Sequence, residues 1–338
     1  MAKKISIPKV IISIVVLLLI IAGAVMILTP KQKDTNPFKL SVNTWVGFGP
    51  FYLAQEKGFF QEEGLDVEII VMEGTAERKA AMLTNRIDAL GDTVDLLVLA
   101  IDEGVPSVAV LEVDLSDGAD GIVATNNINS VSDFKGKKVA AQKNFVGESF
   151  LLYLLKKNGM SVNDVEIIDT ESGAAGAAFV AGQVDVAVTW EPWLSKVKER
   201  EDGHVVITSA DEPGVIVDIL TVNEDVLRNR PEDVKKLMRA WFKAIDYWKN
   251  NKEEANGIMT RYYDMPVGEF ADIITGVKWP SYEENLEYFG TSENPGRIYV
   301  VADTFSDVFL ETGSISSKPD MNQAIDESLL VELYKEKR

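Results

Sequence analysis

One stretch of this chain occurs twice, and a duplicated strand–helix unit leaves few folds open to it. The first copy begins at Lys39-Leu40-Ser41-Val42 and passes a loop holding Gly47, Gly49 and Pro50 into the helix-like Leu53–Gly58. It continues through Val67-Glu68-Ile69-Ile70 and Glu77–Leu83 to Ile87-Asp88-Ala89-Leu90. The second begins at Lys138-Val139-Ala140-Ala141, passes Gly147 into Leu151–Lys157, and continues through Val165-Glu166-Ile167-Ile168 to Val184–Val188. Matched positions stand about 98 residues apart in one half of the repeat (Val67 and Val165) and about 97 in the other (Asp88 and Asp185). Each copy reads as strand–helix–strand–helix–strand, the core of an open α/β lobe. Two such lobes imply a cleft, where small ligands bind.

The rest of the chain is placed around that repeat. A breaker cluster, Gly118-Ala119-Asp120-Gly121, precedes the strand Ile122–Thr125, and Val215–Val222 reads as a buried strand returning to the first lobe. The expected division is 38–121 plus 219–338 for lobe 1 and 122–218 for lobe 2, joined by two crossing strands. Pro231 opens a helix whose Val234, Leu237, Met238, Trp241, Ile245 and Trp248 fall at helical spacing. Further helices are expected over Glu253–Tyr263, Val267–Gly276, Ile298–Thr312 and Met321–Lys335.

Residues 1–37 read as a membrane segment and tether. Val10–Leu28 is apolar apart from Ser13, and a helix of roughly 19 residues spans about 28 Å, close to a bilayer core. Lys3, Lys4 and Lys9 precede it, which keeps the amino terminus in the cytoplasm and places the folded part outside. An uncleaved transmembrane anchor is expected over a cleaved signal peptide, because the run is long and no small-x-small site follows it. The chain has no cysteine, which excludes disulfides, thiol catalysis, cysteine metal sites and a lipidated cysteine. A net charge of −19 argues against nucleic acid as a partner.

In an open α/β lobe a ligand sits beyond the carboxyl ends of the strands. Lobe 1 presents Trp45, Gly47, Phe48 and Gly49 there, where glycines let the backbone approach a ligand and the aromatics form a wall. Asp92 and Thr93 end its next strand. Lobe 2 presents Lys143, Asn144 and Ser149, with Glu148 beside them, and the cluster Trp190-Glu191-Pro192-Trp193. Asp218, an acid among aliphatics on the returning strand, must be paired, solvated or functional. An enzyme is not expected: His204, the only histidine, reads as part of a polar turn, and no nucleophile elbow, Walker loop or zinc-protease motif occurs. No cofactor and no metal site is expected.

Trp45–Ala54, Lys57-Gly58-Phe59-Phe60, Glu63–Val67, Asp133–Val139 and Trp190-Glu191-Pro192-Trp193 together resemble the nitrate/taurine/aliphatic-sulfonate group of solute-binding proteins of ABC importers, over about residues 38–310. The resemblance implies an α/β, type II periplasmic-binding-protein fold that closes on a small polar solute and passes it to an ABC permease and its ATPase. It implies ligand contact from the Trp45–Gly49 loop, Asp92-Thr93, the Lys143–Ser149 loop and Trp190-Glu191. The acids Asp92, Glu148, Glu191 and Asp218, with few cations, point to an amine, zwitterion or heterocycle as much as to a sulfonate or nitrate. A monomer attached to the outer face of the cell membrane is expected. The alternatives are an enzyme of the pyrimidine-synthesis type on the same fold, and a ligand-sensing ectodomain.

Overall fold

A computed structural model describes residues 36–291 and 294–337. The apolar run Val10–Leu28 and most of the tether lie outside them. No helix among the described residues is long and apolar enough to cross a membrane.

Both copies of the repeat form the expected elements. In the first, β1 (Phe38–Val42) lies between β2 (Val67–Val71) and β3 (Ala89–Thr93), all parallel, with helices α1 (Gly49–Glu56), α2 (Thr75–Leu83) and α3 (Val94–Asp102) in the connections. In the second, β6 (Lys138–Ala141) lies between β7 (Glu166–Asp169) and β8 (Val186–Trp190), with α4 (Val146–Lys157) and α5 (Ser172–Val180). The register repeats as well: Leu40 pairs with Ala89, and Val139 with Val186.

The likeness extends past the duplicated sequence. The first sheet adds β10 (Val217–Asn223) antiparallel to β3, then β4 (Ser107–Ser116) antiparallel to β10, with the two-residue β11 (Val277–Lys278) at its edge. The second adds β5 (Asp120–Thr125) antiparallel to β8, then β9 (Gly203–Thr208) antiparallel to β5. The orders β2-β1-β3-β10-β4 and β7-β6-β8-β5-β9 are therefore one topology used twice. The chain leaves each sheet after β4 or β9 and inserts its next strand into the other sheet. At this double crossing the Ser209 hydroxyl meets the Ser116 hydroxyl at 2.8 Å and accepts the Gly118 N–H at 2.7 Å.

Helix α6 (Pro231–Asn250) carries an apolar stripe of Val234, Leu237, Met238, Trp241 and Ile245, all buried, and Trp241 packs 4.3 Å from Phe51 of α1. The expected helix over Met321–Lys335 is broken. The backbone at Ala324 and Asp326 bonds to Ala109 of β4 instead, at 2.8 and 3.0 Å, and α9 begins only after it; α7 (Tyr282–Phe289), α8 (Arg297–Thr312) and α9 (Ser328–Lys337) close the chain. Helix α7 was carried in sequence by its start signal, Ser281 with Glu284 three residues on, which form a reciprocal cap. His204 lies on β9 opposite Ala124 rather than in a turn; the turn ends one residue earlier, where Gly203 N–H bonds to Arg200. Helix α8 reaches α4 across the two sheets through Tyr153 and Phe305, 6.3 Å apart, and a Lys156–Glu311 ion pair of 2.9 Å.

Candidate functional site

The carboxyl ends of β1, β3 and β8 converge with the starts of β5 and β10 on one cavity. Its wall is built from both sheets. From the first come Asn43, Trp45, Phe48, Arg78, Asp92, Thr93 and Asp218, and from the second Asp120, Phe145, Val146 and Trp190.

The loop after β1 is shaped by its own side chains. Asn43 Oδ1 accepts the Trp45 N–H at 2.9 Å, closing a turn that sends the Trp45 indole inward. That indole donates to both oxygens of the Asp114 carboxylate, at 3.1 and 3.3 Å. Gly47 lies so close to this pair that a Cβ there would overlap both Asp114 and Trp45. Phe48 packs over Gly91, where a Cβ would sit 2.5 Å from its ring. Across the cavity Trp190 stands 6.2 Å from Trp45 and 5.6 Å from Phe145, so aromatic faces line the cavity from both sides.

Acids dominate the polar part. Asp92, Asp95, Asp114, Asp120 and Asp218 are each less than a tenth exposed. Strand register places two of them side by side, because Asp218 pairs with Asp114 on one side and with Thr93, the neighbour of Asp92, on the other. Burial pushes the Asp92 carboxyl up to about 6, against the pull of Arg78. Burial likewise raises Asp120 to about 7, with the Ser116 hydroxyl acting against it. Asp114 and Asp218 lie well above the usual carboxylate range through burial and the acids around them. Asp95 is raised by burial, and the Ser149 hydroxyl holds it down in part. Arg78 is the only cation on the cavity wall among the described residues. Its guanidinium donates to the Gly91 carbonyl and lies 3.8 Å from Asp92. No group of acids or histidines arranged to hold a metal ion occurs among the described residues.

Of the residues singled out in the sequence, Trp45, Phe48, Asp92, Thr93, Trp190 and Asp218 lie on this wall. The other six lie off it. The Gly47 carbonyl accepts the Trp279 indole N–H at 2.8 Å, and Gly49 packs against Met259. Lys143 and Asn144 are exposed: Asn144, at φ +52°, turns the loop outward, and the Lys143 N–H donates to Asp169 at 3.0 Å. Ser149 is buried in α4 with its hydroxyl on the Phe145 carbonyl, 3.4 Å away. Glu191 accepts from the N–H and hydroxyl of Ser195, at 3.0 and 2.9 Å, and Glu148 accepts the Asn144 N–H at 2.6 Å. Both acids are thus spent on local turns.

Asn43, Arg78, Asp120 and Phe145 were not singled out. Arg78 carried a signal, since it shares one helical face with Ala81 and Met82 three and four residues on, and an arginine on an apolar face needs a buried partner. Asp120 was hidden inside a glycine-flanked cluster that reads as a turn but is the first residue of β5.

Comparison with known proteins fits this architecture. A binding protein of Brucella abortus is 25% identical over 213 residues, covering 62% of this chain and 66% of its own length. The riboflavin-binding protein RibY of Chloroflexus aurantiacus is 25% identical over 297 residues, covering 82% of this chain and 81% of that one. The crystal structure of the periplasmic aliphatic sulphonate binding protein SsuA of Escherichia coli superposes with a TM-score of 0.72 at 17% identity, over 87% of this chain and 93% of that one. The fold is thus the α/β periplasmic-binding-protein fold. A family model described as NMT1/THI5 like matches residues 45–255, and the chain belongs to that family.

Proposed function

We propose that this protein is the extracytoplasmic solute-binding component of an ABC importer, and that its solute is a small, flat, amine-bearing molecule. Residues 38–121 with 219–338 form one lobe and 122–218 the other; hinge motion at the double crossing between them opens and closes the cavity. A permease and its ATPase receive the solute. Val10–Leu28, with Lys3, Lys4 and Lys9 before it, supports a place on the outer face of the membrane.

One observation carries the choice of solute: three buried carboxyls, Asp92, Asp120 and Asp218, and one guanidinium line a cavity whose wall also carries Trp45, Phe48, Phe145 and Trp190. A sulfonate or nitrate entering it adds a negative charge where like charge already lifts Asp218. A cation replaces the protons those acids hold and lies against the faces of Trp45 and Trp190. RibY, named for a flat heterocycle, supports the stacking half of this reading.

Isothermal titration of the full chain with heteroaromatic amines, aminopyrimidines, polyamines, amino acids, alkanesulfonates and nitrate tests the reading. Heteroaromatic amines are expected to bind and sulfonates to give no heat. A sulfonate binding more tightly than every amine refutes it.

A further inference from the structure

The cavity is not acidic throughout; its polar groups are sorted by position. Strand order across this part of the first sheet is β1-β3-β10-β4. At the β1–β3 end stand two hydrogen-bond donors without partners. Asn43 lines the cavity, and because its Oδ1 already accepts the Trp45 N–H, its Nδ2 is the free end of the amide. No hydrogen bond to that Nδ2 occurs among the described residues. Arg78, only 2% exposed, also lines the cavity, and its Nε is buried without a partner. A buried donor left unpaired costs about 1–3 kcal/mol, so Arg78 Nε, with the unbonded Asn43 amide on the same wall, marks a place for an acceptor.

The opposite end holds acids only. Asp218, second residue of β10, and Asp120, first of β5, lie on the wall there, and Asp114 of β4 stands beside Asp218 with its carboxylate on the Trp45 indole. Two strand spacings, about 10 Å, separate β1 from β10, and one, about 5 Å, separates β10 from β3, where the Arg78 guanidinium lies on the Gly91 carbonyl.

We infer that the cavity binds its solute in one orientation, with a neutral acceptor atom (a carbonyl oxygen or ring nitrogen) on Asn43 Nδ2 and Arg78 Nε, and a cationic amine at Asp218 and Asp120. The acceptor is neutral because the Arg78 charge is already shared with Asp92 at 3.8 Å and three acids line the wall against this one cation. A carboxylate there meets a negative field. This inference rests on the cavity being the solute site.

Three probes of one shape separate the two readings: benzylamine, 4-(aminomethyl)benzamide and 4-(aminomethyl)benzoate, titrated into the full chain. The amide is expected to bind about tenfold or more tightly than benzylamine, the worth of one to two hydrogen bonds to buried donors, and the benzoate less tightly than the amide. Asn43→Asp keeps the acceptor that holds the Trp45 turn but removes the free donor; Arg78→Lys keeps the charge but removes Nε–H. Each is expected to bring the amide-to-benzylamine ratio towards one, and a cooperative urea unfolding transition shows that the variant is folded. Asp218→Asn is expected to weaken both amines while leaving their ratio unchanged. Equal affinity for benzylamine and the amide overturns the orientation and leaves the proposed function standing. Tighter binding of the benzoate than of the amide overturns the neutral acceptor. Silence from all three probes overturns the proposed function, and this inference with it.

Discussion

Replacing Asp120 by Asn is expected to make the protein more stable and a poorer binder. Asp120 is 6% exposed, opens β5 opposite Trp190, and has its carboxyl raised from its ordinary 3.8 to about 7, chiefly by burial. That difference corresponds to about 4 kcal/mol between the two protonation states. Below the unfolded value both states hold the proton and the acid contributes nothing. Between 3.8 and 7 the unfolded chain releases it while the folded one keeps it, so stability falls as pH rises; above 7 the deficit is constant. Asparagine has the same shape, accepts from Ser116 as the carboxyl does, and has no charge to desolvate. Urea unfolding of both proteins from pH 3.5 to 9 is the assay. The variant's advantage is expected to be near zero at pH 3.5, to grow to as much as about 4 kcal/mol by pH 7, and then to level off. An advantage independent of pH, or a variant less stable at pH 8, refutes the argument that burial holds this acid protonated. Binding of benzylamine is expected to weaken in the same variant, which would make Asp120 a residue whose stability cost is retained for function.

Two further outcomes follow from the same geometry. Amine affinity is expected to rise with pH between 5 and 8, because Asp92 and Asp120, raised to about 6 and about 7, must lose protons to receive a cation; calorimetry in buffers of differing ionisation enthalpy reads the released protons, and a flat or falling profile refutes it. Gly47→Ala is expected to cost more than about 3 kcal/mol in thermal unfolding, since the new methyl overlaps the Trp45–Asp114 pair, whereas Gly257→Ala, in open space on a helix, is expected to gain about 1 kcal/mol; similar effects at the two sites refute the crowding argument.

The frame of this fold is legible in the sequence because its signals are local. A strand–loop–helix repeat needs only period and turn residues, and these are present in both copies. The site is less legible, because it depends on register. Asp114 and Asp218 are about 100 residues apart and meet only because β10 lies beside β4 in one alignment. Arg78 is visible as an arginine on an apolar helix face, yet its partner, the Gly91 carbonyl, is a backbone atom that no side-chain pattern announces. Lys143 and Asn144 lie off the cavity wall for a conformational reason: the loop matches that of Trp45 in position, but with a left-handed residue at Asn144 both side chains are exposed. Strand ends locate a site, and a single dihedral angle decides which side chains enter it.

The exchange of β5 and β10 between the two sheets also sets an order of assembly. All five strands of the second sheet lie between residues 120 and 208, so that sheet can form as soon as this one contiguous stretch has left the ribosome. The first sheet cannot. Its β3 and β4 are made by residue 116, but β10, which lies between them, ends only at Asn223. Until then β3 and β4 each present a bare edge on the side where β10 will dock. Open edges of this kind invite pairing with other chains. The half made first is finished last, and a nascent chain of this protein spends the synthesis of a whole lobe with the gap in its first sheet unfilled.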